Sequence, residues 1–497
     1  MGSVCYWVEL GYHALVTFLY RLLVAPWLRQ AVVPRGGRVA VVGGGIAGCG
    51  AAWSLSRAGY KVVLYESRET VGGNAKVNNW GNAGDDSVTG LSVLAWPKEY
   101  FRNYTQLLET LGVETVPVTL PFYVRDHALG DFAHGRAPPA RFKPSLDRWN
   151  RLVDTVRRVG KFLNGPSCSF YVFSYLNPFN ILPAYLTARL FGVSREFWEA
   201  IVVPVYSSSF LTKNIETIPC TVLPILDDMI PLGGVPKMTT WQTNSADVFR
   251  RLCSDFDVRT GRAVVEVRPG TDARGRHLHM VRDSNNDFEM FDAVVFACPA
   301  DAAASVLRKP TKLQNLLLRA FSYVDDHDAT FSLGTIHQDP SVIPDDLRDT
   351  LLQQYSNYIA VHRDAQGGAP EFENTFILSS WVPAVQAYVE GRKTKAPFLV
   401  TYNAQRADFA NTHGTVSNMR AHPDLEISNM ILAQLVGLVQ GDRNIYFCGS
   451  YTTPGNGHDL SLNSGFIVAH HIGADYPFPG NRAAKEDFEK LRSLMRI

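Results

Sequence analysis

The stretch RVAVVGGGIAGCGAAWSLSRAGYKVVLYE, residues 38–66, decides the fold. Val39-Ala40-Val41-Val42 is a short continuous apolar run, the pattern of a parallel strand buried on both faces. Gly43 to Gly48 follows as a glycine turn, and residues 46–58 read as a helix that Gly59 ends. Lys61 to Tyr65 reads as a second strand with Glu66 at its end. Gly43 permits the tight turn, Gly45 lets the backbone approach a pyrophosphate, and Gly48 lets helix and strand pack closely. The N–H groups at Ile46 and Ala47 then open the helix, where unpaired donors and the helix dipole favour an anion. Glu66 stands 18 residues after Gly48, placed to bind a ribose diol with two carboxylate oxygens. Glycine turn, strand, helix and acid together predict a dinucleotide site.

Outward from this unit, the chain is long enough for a large core and two domains: 497 residues, 46% apolar. Net charge is +1, so no basic surplus argues for nucleic acid as a partner. Seven scattered cysteines form no CxxC pair and no zinc-type spacing, so reduced thiols are expected and a metal site is not. Residues 4–28 (VCYWVELGYHALVTFLYRLLVAPWL) are strongly apolar with aromatic residues at both ends, interrupted by Glu9, His13 and Arg21. They predict an N-terminal membrane anchor within 1–34, spanning or interfacial. The alternative is a helix packed on the protein's own surface. Arg29, Arg35 and Arg38 would keep the main body on the cytosolic side, so the expected location is membrane-associated with a cytosolic body, or cytoplasmic.

Further along, residues 97–112 have helical apolar spacing at Tyr100, Tyr104, Leu107, Leu108 and Leu111. Residues 168–210 are rich in Phe, Tyr and Leu, broken by Pro178, Pro183 and Pro204. Residues 257–298 alternate as a β-meander closing on a strand at 291–297, and 321–403 alternate again. Ile445 to Phe447 makes a last short strand, and residues 464–474 read as a helix, with its N-terminus at Ser464-Gly465.

Three further motifs carry a resemblance. After Glu66-Ser67 come Gly72-Gly73-Asn74, then Asp292 to Pro299 with a buried strand between, then Phe447-Cys448-Gly449-Ser450, Gly455-Asn456-Gly457-His458-Asp459 and Asn463-Ser464-Gly465. In this order they resemble the flavin amine oxidase superfamily. The resemblance implies FAD as cofactor. Gly72-Gly73 would lie against the diphosphate, Val264 and Val265 would give a backbone contact to adenine, and Gly449, Ser450, Ser464 and Gly465 would hold the ribityl chain and flavin ring. Ser450 stands where many members have an acid. The implied fold is α/β (α+β overall). A Rossmann-type FAD-binding domain with a parallel sheet and β-meander (35–95, 235–300, 436–480) is interleaved with a substrate domain of mixed sheet and helices (96–234, 301–435).

Thr89-Gly90-Leu91-Ser92-Val93, Pro97-x-x-Tyr100 and Leu108-x-x-Leu111-Gly112-Val113 resemble one branch of that superfamily. These are the amine-oxidase-like proteins found beside, or fused to, cyclopropane fatty acid synthases. Leu333 to Pro344, Thr401-Tyr402-Asn403 and His422-Pro423 look like later landmarks of the group, although Val88 replaces its usual acid. The flavin-dependent polyunsaturated fatty acid isomerases share the general architecture. This branch implies a lipid or fatty acid substrate and double-bond isomerisation, reduction or desaturation. Phe170, Tyr171, Phe173, Tyr175, Phe179, Tyr185 and Phe197 are candidates to line an acyl tunnel, or else plain core. Tyr451, Asn456, His458 and Asp459 are the catalytic candidates, His458 as acid/base. No second dinucleotide fingerprint is present, so no built-in NAD(P)H domain is expected. The alternatives are amine oxidation, for which Lys98 and Lys237 are the available flavin-side lysines, and a flavin-binding protein without turnover.

Overall fold

A computed structural model describes residues 32–75, 77–78, 89–90, 92–164, 176–210, 215–323, 334–363, 370–392, 396–406, 408–409, 412–416 and 422–496. The expected anchor at 4–28 lies outside the described residues. Among them, no helix is long and apolar enough to cross a membrane.

The strands β1 (Arg38–Val42) and β2 (Lys61–Tyr65) lie in a five-stranded parallel sheet. Its order is Ile445–Phe447, Ala293–Phe296, β1, β2, Asp257–Arg259. The all-apolar run of β1 is explained by its central place: Val39, Ala40 and Val41 are fully buried. The meander is shorter than the alternation suggested. Asp257–Arg259 pairs in parallel with β2, and only Val264–Arg268, His279–Asp283 and Phe288–Phe291 form the antiparallel three-stranded sheet.

Four helices matter for the site. Helix α1 (Ile46–Arg57) follows the glycine turn. Helix α2 (Arg102–Thr110) is shorter than its apolar spacing suggested, because Pro97 to Tyr100 forms a turn. Helix α3 (Val203–Phe210) packs on the second large sheet. Helix α4 spans His458–Ile472 and so begins six residues before the expected start.

The second sheet has seven strands, in the order Thr412–Val416, Gly334–His337, Leu399–Tyr402, Glu371–Ile377, Asn357–His362, Phe122–Arg125, Phe132–Ala133. It is mixed: Asn357–His362 runs parallel to Phe122–Arg125 and the other pairs are antiparallel. One face turns Phe122, Val124, Ile359, Val361, Phe372 and Tyr402 into a large core, beneath the helices. The other buries Tyr123, Tyr358, Ile377 and Leu399.

Candidate active site

Two helix N-termini open onto one cleft. Gly45 and Gly457 are the N-cap residues of α1 and α4, and neither helix has a side-chain cap. The leading N–H groups of both helices therefore lack an intrahelical partner and favour negative charge. The helices cross closely. A β-carbon at Gly465 would lie 2.1 Å from the Ala47 carbonyl oxygen, and one at Gly50 would lie 2.5 Å from Leu462 Cδ1. This contact sets the start of α1 against the middle of α4.

The cleft has a volume of about 460 Å³. Gly43, Gly45, Ile46, Ala47, Glu66, Ser67, Gly72, Gly73, Asn74, Gly449 and Ser450 all line it. Space beyond Gly45 is open on the side where a β-carbon would project, whereas a β-carbon on Gly48 would meet the Gly43 carbonyl oxygen. Gly43, at φ 114°, adopts a conformation that side chains rarely allow. The second glycine turn abuts the first: the Gly72 N–H donates to the Gly44 carbonyl at 2.8 Å. Glu66 is buried at the end of β2. Its Oε2 accepts the Gly44 N–H at 2.7 Å, and its Oε1 accepts the Arg68 N–H at 2.9 Å and the Ser67 hydroxyl at 3.1 Å. These bonds fix the carboxylate toward the cleft, and its acceptor capacity is not exhausted.

Three expected contacts are placed elsewhere. Val265 is 36% exposed and does not line the cleft; Ala263 and Val264 do. The register slips between Val264 and Glu266, a bulge that turns Val265 outward. Ser464 and Gly465 lie in the middle of α4 rather than at its start. The Ser464 hydroxyl accepts the Gly449 N–H at 2.9 Å, and Gly465 is the helix-crossing residue. The helix end facing the cleft is at Asn456, His458 and Ser461.

A second cavity of about 240 Å³ adjoins the first. Leu120, Phe122, Ile225, Met229, Phe376, Trp381 and Tyr402 contribute to its largely apolar wall. Of the aromatic residues proposed for a tunnel, the three that are described, Phe179, Tyr185 and Phe197, are not its lining. Phe170, Tyr171, Phe173 and Tyr175 lie outside the described residues. Phe197 is core, 5.9 Å edge-on from Phe142; Phe179 and Tyr185 pack against the same core without lining the cavity. The aromatic spacing at 179–197 is that of a packed helical layer. The lining comes instead from sheet positions far apart in sequence.

Ser92, Val93, His422, Asn456 and His458 line both cavities and form the seam between them. Val93 has φ 57°, a left-handed conformation that is costly for a β-branched residue. Strain of this kind collects at functional sites. Asn456 donates to the Pro423 carbonyl at 2.7 Å, which ties the two seam segments together.

The remaining candidates have contrasting surroundings. His458 stands edge-on to Tyr104 at 4.7 Å, its Nε2 has no partner, and burial pushes its pKa down to about 3. It is a neutral imidazole at physiological pH, so an imidazolium acid is not its ground state. The Asp459 Oδ1 accepts the Tyr104 N–H at 2.6 Å, capping α2 from another helix, and its Oδ2 is unpartnered. Burial pushes that carboxyl up to about 8, so it is protonated at neutral pH. Asp459 borders the apolar cavity and not the cleft. Tyr451 borders the cleft, its ring 5.3 Å edge-on from Phe321 and its hydroxyl unpartnered. Lys98 and Lys237 are exposed and line neither cavity.

Comparison with known proteins agrees with this architecture. A family described as an NAD(P)-binding Rossmann-like domain matches residues 41–109. No curated protein matches the sequence. Among solved structures, putrescine oxidase bound to putrescine is similar at 12% identity over 88% of this chain and 98% of that one, with a TM-score of 0.62. A CLA-producing fatty acid isomerase from P. acnes is similar at 12% identity over 88% and 99%, with a TM-score of 0.54. The chain has the flavin amine oxidase-like fold, built on a Rossmann-like dinucleotide domain. Such a fold carries several chemistries, so the reaction has to be read from the site.

Proposed function

We propose that the protein is an FAD-dependent oxidoreductase or isomerase acting on a lipid acyl chain. One observation carries the reading: a largely apolar cavity meets the dinucleotide cleft at the Val93–His458 seam. The residues of the cleft fit FAD. The open space at Gly45 and the α1 N-terminus suit a pyrophosphate, Glu66 suits a ribose diol, and the α4 N-terminus suits the electron-rich edge of a flavin ring. When bound, FAD supplies a two-electron hydride acceptor and donor. The chain's own residues then orient and desolvate the carbon that reacts. The seam brings an acyl C–H bond toward the cleft, and the Leu, Met and Phe wall excludes water. Double-bond isomerisation leaves the overall oxidation state of the chain unchanged, so it would need no separate electron acceptor.

The cavity's charge supports an uncharged chain. Among the described residues that line it, none is Lys, Arg or Glu, and Asp459 is protonated at neutral pH. A protonated amine would find no counter-charge from these groups. Amine oxidation is the second reading, favoured by the fold shared with putrescine oxidase.

The test is to mix the FAD-loaded protein anaerobically with linoleic acid, putrescine or benzylamine, following flavin absorbance and the products of the polyunsaturated acid. Shifted double bonds, or bleaching by the fatty acid, are expected. Bleaching by an amine and not by the fatty acid would establish the second reading, and no turnover of any of them a binding role.

A further inference from the structure

We propose that the helical layer carries a docking face for a lipid bilayer with anionic headgroups, formed by Ile181, Leu186 and Leu190 beside an arginine stripe at Arg148, Arg151 and Arg158. The inference goes beyond the acyl-chain reading and stands without it.

The stripe follows from helix spacing. The helix Lys143–Asn164 turns Trp149, Leu152, Val153 and Val156 into the core. Residues 148, 151, 158 and 162 are three, seven and four apart, so they share a stripe that faces away from that core. Arg151 and Arg158 are exposed, and Phe162 at the stripe's end is 39% exposed. No acid lies on the stripe. Asp147 and Asp154 border it, and Asp154 is held by Arg157 at 2.6 Å. The helix has six basic and two acidic residues, whereas the whole chain has a net charge of only +1.

The apolar half stands next to it. The helix Ala184–Leu190 buries Ala184, Thr187 and Ala188. Leu186 and Leu190, one helical turn apart, are 47% and 74% exposed, and Ile181 just before the helix is 68% exposed. The turn that ends this helix is tied to the stripe. Arg148 Nη1 donates to the Gly192 carbonyl at 2.9 Å, and the Ser145 hydroxyl donates to that of Ser194 at 3.0 Å.

Exposed aliphatic side chains flanked by guanidinium groups match the layering of a bilayer surface, with acyl chains below and phosphates at the level of the cations. A second copy of this chain fits less well, because two such faces brought together would oppose arginine to arginine. The contact is small, so it orients the protein on the bilayer rather than anchoring it. The orientation has a use. The inner side of the helix Lys143–Asn164 packs on residues 220–229, where Trp149 Nε1 donates to Asp227 at 3.1 Å. Val222, Ile225 and Met229 of that segment line the apolar cavity, so one helical layer separates the docking face from the cavity.

The test uses the full-length, FAD-loaded protein and vesicles of phosphatidylcholine, with or without phosphatidylglycerol, that carry a photoactivatable diazirine in the acyl chain. Labelled peptides are mapped by mass spectrometry. Label is expected within residues 181–192, and roughly tenfold less of it from vesicles without phosphatidylglycerol, since three arginines act near the surface. Leu186→Glu combined with Leu190→Glu should remove most of that label and leave FAD content intact. Arg151→Glu combined with Arg158→Glu is read in the same way should the first pair not fold. Label confined to other segments, such as 4–28 or the cavity lining, overturns the docking face, and so does equal labelling of 181–192 by both vesicle types. A dimer in lipid-free sedimentation that Leu190→Glu splits would assign the face to a second copy and overturn the proposal as well.

Discussion

A β-carbon on Gly465 would sit 2.1 Å from the carbonyl oxygen of Ala47, so α4 and α1 cross at a separation that only a hydrogen permits. Gly465→Ala is expected to push the helices apart. Overpacking of a close crossing costs about 1–3 kcal/mol. The variant should therefore melt several degrees lower and retain less FAD after gel filtration. Wild-type melting with full flavin content would show that the crossing tolerates a side chain.

Glu66 ties the end of β2 to the glycine turn and presents its carboxylate to the cleft. Glu66→Ala removes the charged acceptor and leaves the Gly44 N–H unpaired. A hydrogen bond to a charged group is worth about 1.5–3 kcal/mol, so FAD affinity should fall on the order of tenfold to a hundredfold. Titration of the apoprotein with FAD, read by flavin fluorescence, measures this. A fully loaded yellow variant would remove Glu66 from the site.

Acid stability follows from buried histidines. Burial pushes His134, His279, His337 and His471 down to about 4, and His458 to about 3, from the ordinary 6.5. Below pH 6.5 the unfolded chain takes up protons that the folded chain refuses, so stability falls as pH drops from 6.5 toward 4. Calorimetry across that window should show a steep fall in Tm, and a flat profile would contradict it.

Asp459 runs the other way. Its carboxyl is raised from 3.8 to about 8, so its contribution is complete below pH 3.8 and is lost progressively as pH rises to about 8. Asp459→Asn should therefore gain on the wild type between pH 5 and pH 8, because the amide still accepts the Tyr104 N–H. An equal difference in Tm at both pH values would refute this.

Val93 should invert a familiar order. In ordinary backbone, alanine is more stable than glycine, but the left-handed region costs a residue with a β-carbon about 1–2 kcal/mol. Val93→Gly should therefore melt above Val93→Ala. The reverse order would mean that the residue leaves this conformation readily.

Deletion of residues 1–33 tests the expected anchor. The shortened chain should move from the membrane fraction to the supernatant while keeping its flavin, and a full-length chain already in the supernatant would refute the anchor.

The dinucleotide unit was legible because backbone need and residue type coincide there. Gly43, Gly45 and Gly48 each answer one steric demand, and the apolar run of β1 needs no distant partner to be read. The start of α4 was not legible. Residues 458–463 (HDLSLN) carry polar groups that suit a loop, and no capping side chain marks His458. Val264 and Val265 could not be told apart in the sequence, because the bulge that turns Val265 outward depends on the partner strand. The apolar cavity was hidden for a similar reason. Phe122, Phe376 and Tyr402 meet only through sheet register, while Phe179, Tyr185 and Phe197, nearer together in sequence, pack in the core.

The Gly465–Ala47 crossing also bears on how the protein matures. The two helix ends that would grip the cofactor are about four hundred residues apart in the chain. A nascent polypeptide displays the first glycine turn some four hundred residues before the opposing wall at α4 is made. Were FAD to bind here, its capture would need both segments, and the strand and helix faces of the first would stay uncovered until α4 is made.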